Sequence, residues 1–269
     1  MIDSLAQVLA SSGLRPESFT VVGADEVIFR GEVQAGGVVE TFMKLAKGFP
    51  ETKYWPIIRG ISEIPRQGER DPVEILASVP AGSIREILEP RIQERRETLD
   101  QILSEFAFAE GADLDRLAQL ADESGIYTFS GYQQDEQWPT EAVAPTQVKF
   151  RTATAARRNP SVILLVRVDH PYEVPAYLEF GGWNDCPAPE LQVAVLREWH
   201  KEYNARPACI TGDVLECVLV NRPQTEAESM KLAADQWIFC EDIVAQGTQT
   251  VRKLAMEIWR SPSWFFWWD

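Results

Sequence analysis

The chain reads as an α+β protein: a mixed sheet covered by helices, with a helical insertion in the N-terminal half. Three observations predict this. Short β-branched runs bounded by Gly and Pro occur in both halves. Between them lie longer stretches with apolar residues three and four apart, the helical spacing. Strands and helices do not alternate strictly, so a βαβ repeat is not indicated.

Leu5, Val8 and Leu9 predict a short opening helix, and Phe19–Gly23 with Glu26–Arg30 a hairpin turning at Ala24 and Asp25. Val38–Met43 is expected to continue the sheet. Trp55–Gly60 reads as a strand begun by proline and stopped by glycine. From Ser83 to Glu110 the spacing of Ile84, Ile87, Leu88, Ile92, Leu99, Ile102, Leu103 and Phe106 is helical, and Pro90 is expected to break the run in two. Leu114, Leu117, Ala118 and Ala121 continue the pattern to Gly125. The polar stretch Gln133–Thr146 is the best linker. It divides residues 1–140, an α+β region with the insertion at about 83–125, from a second α+β region at 145–269.

In the second region Ser161–Val168 reads as a buried strand and Ala176–Phe180 as another. Leu191, Val195, Trp199 and Tyr203 mark one helix face. Ala208–Ile210 and Val214–Val220 form a hairpin around Thr211-Gly212-Asp213. Thr225 and Glu228 make a capping box for a helix through Trp237. Thr248 is read as the cap of a further helix to Trp259, stopped by Ser261-Pro262. Trp264-Phe265-Phe266-Trp267-Trp268 then carries five aromatics into Asp269. Such apolar area must dock, and a strand apolar on both faces is expected to be central or covered by helices. Trp183, Trp199, Trp237 and Trp259 are expected in the same cluster.

Acidic residues number 41 against 26 basic, a net charge of −15. That field disfavours nucleic acid and anionic membranes, which need clustered cations, and favours a basic partner. Cys186, Cys209, Cys217 and Cys240 form no C-x-x-C pair, so no structural zinc is expected. No basic segment followed by an apolar run opens the chain, and no apolar run approaches the roughly 18 residues of a membrane span. The expectation is a cytoplasmic protein with reduced thiols.

Four motifs stand in order: Val174-Pro175-Ala176-Tyr177-Leu178, then Gly181-Gly182-Trp183-Asn184-Asp185-Cys186-Pro187, then Phe239-Cys240-Glu241-Asp242 through Gln246-Gly247, and Trp264 to Asp269. With them, the stretch from about Pro145 to Asp269 resembles a bacterial family catalogued only as a domain of unknown function. The resemblance implies a shared fold and supplies no catalytic residues. Trp55–Gly60 resembles a segment near the start of longer members, and residues 80 to 125 look like an insertion.

The Gly181–Pro187 turn lies before a proline-started helix, where glycines permit close backbone approach and Asn184 or Asp185 can cap. Trp183, Asn184, Asp185, Asp213, Glu216 and Asp242 are the candidate binding residues. The catalytic candidates are Cys186, with His200 or His170 as its base, and Asp185; free cysteines are more often small buried hydrophobes. Glu179, Asp185, Asp213, Glu216, Asp242 and Asp269 could converge on a divalent cation, but turns and caps explain them more simply. Neither a metal nor a cofactor is expected. The favoured function is protein binding, such as an immunity-type protein neutralising a basic partner. Glu94, Glu97, Asp100 and Glu105 of the insertion offer one docking surface. The alternatives are a hydrolase or metal-dependent enzyme built on the Gly181–Cys186 turn, and a small-molecule sensor with an aromatic pocket.

Overall fold

The computed structural model describes residues 3–22, 27–33, 37–60, 70–94, 138, 148–155 and 161–269. Among these, seven strands make one sheet: β1 (Phe19–Val22), β2 (Ile28–Val33), β3 (Tyr54–Gly60), β4 (Ser161–Arg167), β5 (Arg206–Ile210), β6 (Val214–Val218) and β7 (Ser263–Trp267). Their order is β1-β2-β4-β3-β5-β6-β7. β3 and β5 run parallel, meeting at Ile58 and Cys209, and every other pair is antiparallel. The sheet is mixed and the fold is α+β, as the sequence predicts.

β4 sits between β2 and β3, with Leu164 facing Arg30 on one side and Ile57 on the other. Its residues Ser161 to Val166 are all buried, which explains an unbroken apolar run without alternation. Around the sheet stand α1 (Asp3–Ser11), α2 (Val38–Lys47), α3 (Pro72–Ala77), α4 (84–94), α5 (Pro189–Tyr203), α6 (Glu226–Phe239) and α7 (Val251–Ile258). Trp199 of α5 stacks on Phe266 with ring centroids 5.5 Å apart, and Phe239 of α6 meets Phe266 and Trp268 edge-on. Trp183 and Trp237 join this core, while Trp259 packs against Trp138 instead. Among the described residues no helix is long and apolar enough to cross a membrane.

Five local expectations are corrected. Val38–Met43 is not a strand but the start of α2, because Val38, Phe42 and Leu45 are buried along one helical face and Glu40 pairs with Lys44 one turn on, at 2.8 Å. Ala176–Phe180 is not a strand either. A 3₁₀ turn, Pro171–Glu173, feeds a helical turn, Val174–Tyr177, each with a proline at its start. α4 runs through Pro90, its buried Ile87 and Leu88 holding the helix to the core. Thr250, not Thr248, caps α7, and Thr248 closes the π-helical turn Ile243–Thr248. β7 is an edge strand. Trp264, Phe266 and Trp268 are buried on one face, and Phe265 and Trp267 are half-buried on the other. The insertion beyond residue 94, with Glu97, Asp100 and Glu105, lies outside the described residues, as does the linker apart from Trp138.

Candidate functional site

The Gly181–Pro187 turn is built by three left-handed residues: Gly181 at φ 109°, Gly182 at φ 81° and Asn184 at φ 45°. A Cβ on Gly181 would collide with the Pro187 carbonyl oxygen. The Gly182 amide donates to the Cys186 carbonyl at 3.1 Å, and the Cys186 amide to Trp183 at 2.9 Å. This tight turn faces its side chains in three directions. Asn184 reaches out and donates through Nδ2 to the backbone oxygen of Asp269 at 2.9 Å. Asp185 accepts from the Arg91 guanidinium at 2.7 Å; Arg91 also donates to the Asp185 carbonyl and, through Nε, to the Ile238 carbonyl. α4 thereby clamps the turn to the end of α6. Cys186 points inward, 3% exposed, with Gln192 Nε2 3.4 Å from its sulfur. Burial pushes its thiol well above the ordinary range, and Cys240 nearby adds to the effect.

The second motif meets the first at the end of β7. Cys240 donates its S–H to the Trp267 carbonyl at 3.1 Å, and burial raises its pKa to about 12. Asp242 accepts from the Asp269 amide at 3.0 Å and from Gln246 Nε2 at 3.1 Å. Gln246 also reaches Asp269 Oδ2 at 3.4 Å. From the β5–β6 turn, Asp213 accepts the Trp267 indole N–H at 3.1 Å on Oδ2, and its carbonyl accepts from the Trp268 amide. Asn184, Asp213 and Asp242 are therefore drawn together around Trp267 and Asp269.

Glu216 lies opposite Phe265 in the β6–β7 register, so the two side chains share a face. Its carboxylate is 1% exposed and accepts the backbone amides of Arg151 and Thr152 at 2.7 and 2.8 Å. It thus caps the helical turn Arg151–Ala155. Burial raises its pKa, and these hydrogen bonds act in the opposite direction. Arg151 in turn lies over the Phe265 ring, 4.4 Å from its centroid, and pairs with Glu257 at 3.6 Å. Between this turn, α7 and the π-helical turn runs an open groove of about 640 Å³ along β7. Phe265, Trp267, Glu216, Asp242, Leu254 and Ile258 are among its walls.

The sequence-based candidates divide accordingly. Asp242 and Glu216 line the groove, Asn184 and Asp213 brace its end, and Asp185 and half-buried Trp183 belong to the supporting turn. His200 stands apart from Cys186. Its Nδ1 lies 3.1 Å from the Ala205 carbonyl and its ring meets Tyr172 edge-on, while the His170 ring stacks on Tyr172 at 4.9 Å. Burial lowers its pKa. Among the described residues no group of three or more His, Cys, Asp or Glu could hold a metal ion.

All three convergent motifs lie within one segment that comparison picks out. Residues 162–269 match a family described as a domain of unknown function, DUF4253. The match covers less than half the chain and begins in β4, so β1, β2 and β3 fall outside it. No curated protein and no solved structure matches the chain. The DUF4253-matched segment supplies β7 and the π-helical turn, while Lys149 and Arg151 of the groove come from just before it. Sequence reasoning named Gln246 only within its motif and not as a site residue, and it passed over Arg91 and Arg151. Period-two alternation in β7 was a signal for Phe265 and Trp267, since it separates them from the buried Trp264, Phe266 and Trp268.

Proposed function

We propose that this chain is a protein-binding module whose groove beside β7 takes a basic segment of a partner protein. The observation that carries the reading is the groove itself. It is open and lined by aromatics and by Glu216, Asp242 and Glu257, with Lys149 and Arg151 toward its Ser263 end, and two of the sequence motifs, Asp242–Gly247 and Trp264–Trp267, supply its walls. Half-exposed aromatics beside carboxylates suit a lysine or arginine side chain, whose alkyl stem packs on a ring while its charge meets the acid. The net charge of −15 adds long-range attraction for such a partner. The buried, hydrogen-bonded Cys186 thiol supports binding over thiol chemistry, because nucleophilic attack requires an accessible thiolate. Neutralisation of a basic protein, in the manner of an immunity protein, is the form this activity would take.

The test is a titration of two fluorescein-labelled decapeptides, one alternating lysine with valine and one alternating glutamate with valine. The lysine peptide should bind saturably, and the glutamate peptide should not. Asp242→Asn, which keeps an acceptor for the Asp269 amide, should weaken the lysine peptide about threefold, the scale of one exposed charge pair. Equal binding of both peptides would overturn the reading.

A further inference from the structure

We infer that the basic segment binds as an added strand, hydrogen-bonding the outer edge of β7 at Phe265; the inference rests on the binding role proposed above and specifies its geometry. β7 ends the sheet among the described residues. Its ladder has a fixed parity. The Leu219 amide donates to Pro262 and the Trp268 amide to Asp213, so the even-numbered residues of this segment turn their amides and carbonyls toward β6. The odd-numbered residues turn theirs outward, into the groove.

Two of those three positions are already engaged. Ser263 donates its amide to Ser261 Oγ at 3.3 Å and accepts that hydroxyl's proton at 2.6 Å. The Trp267 carbonyl accepts the Cys240 thiol. Phe265, in the middle of the strand, keeps an outward amide and carbonyl beside the groove of about 640 Å³. An incoming strand is therefore held in one register, with one of its residues exchanging two hydrogen bonds with Phe265.

That register dictates the partner's side chains. The residue opposite Phe265 shares its face with Arg151 and Glu216. Residues on either side of it turn to the face of Trp264, where α5 and α6 pack, and Leu254 and Ile258 are the apolar walls of the groove. Those positions call for apolar residues. Toward Trp267 the pairing stops, because Cys240 holds the Trp267 carbonyl and Asp242 the Asp269 amide, and the incoming chain leaves the edge past the Asp242 carboxylate, with which no described cation pairs. Lys149 and Arg151 stand toward the Ser263 end, where Arg151 already pairs with Glu257. A lysine or arginine belongs at the Trp267 end. The fitting occupant is an extended segment of a basic protein in which apolar and cationic residues alternate.

The experiment uses the full chain and the lysine–valine decapeptide, with amide hydrogen exchange followed by NMR and with variants of the peptide N-methylated at each position in turn. At saturation the Phe265 amide should exchange at least tenfold more slowly, while Trp264 and Phe266 amides, already bonded to β6, should not change. N-methylation should cost at least tenfold in affinity at one or two positions and little elsewhere. Saturable binding with unchanged Phe265 exchange and a flat N-methyl profile would overturn strand addition and leave the binding role standing. Absence of saturable binding by the unmodified peptide would overturn both.

Discussion

Gly181 illustrates how little freedom single residues have in this site. Its φ of 109° is open to glycine, and Pro187 occupies the space where a side chain would start. Gly181→Ala should therefore cost about 2–4 kcal/mol in urea unfolding, combining left-handed strain with a clash against backbone. Gly212→Ala, in the β5–β6 turn with open space around it, should stay within about 0.5 kcal/mol. Asp235 offers a pH-dependent counterpart. It lines a cavity of about 360 Å³ with Trp199 and Tyr203, and burial, with Glu202 nearby, raises its pKa from 3.8 to about 6. The folded protein then holds a proton that the unfolded chain releases between those values, so stability contributed by this group falls as pH rises through that window. Asp235→Asn should remove that decline and exceed the parent above pH 6 by on the order of 2 kcal/mol. Unfolding midpoints at pH 4, 5, 6 and 7 check the sign; parallel curves for both proteins would contradict it.

At the scale of elements, β7 joins structure to function through its two faces. Trp264→Ala should cost about 3–5 kcal/mol, because that ring is 2% exposed and packed against Trp199 and Tyr203. Phe265→Ala, half-buried at the groove, should cost about 1 kcal/mol and chiefly weaken peptide binding. Chemical denaturation of the two variants separates them, and equal losses would contradict the two-faced description. Strands β2 to β6 and helices α5 and α6 were legible because long apolar runs, caps and turn residues agreed. The edge position of β7 was not, since an alternation of large aromatics reads as apolar on both faces. Val38–Met43 misled because β-branched Val38 and Val39 outweighed the Glu40–Lys44 pair one helical turn apart. At Ala176–Phe180 the two prolines that set the helical turns stand before the run that was read. Of the site, Asn184, Asp213, Glu216 and Asp242 were legible as turn or strand-end residues. Their convergence was not, because contacts such as Asn184 with Asp269 join positions 85 apart in sequence.

The whole molecule ties the DUF4253-matched segment to the rest of the chain through its sheet. β4 belongs to that segment, yet β3 stands between it and β5. Residues 145–269 expressed alone would therefore leave β4 without either of its neighbours and β5 with an uncovered edge. Such a fragment should lack a cooperative urea transition, and a sharp transition with native near-UV dichroism would contradict this. The same sheet carries the binding groove at its far edge, so the central claim can be read from a single side chain. Trp267 has its indole N–H on Asp213 and lines the groove, whereas Trp55 donates its own to Pro207 in the interior at 2.7 Å. In a ¹⁵N correlation spectrum titrated with the lysine–valine decapeptide, the Trp267 indole resonance should shift saturably and the Trp55 resonance should stay in place. Raising salt should weaken the titration, because the attraction is electrostatic and the screening length falls to about 8 Å at physiological ionic strength. Saturable binding that leaves the Trp267 indole unmoved would contradict the account.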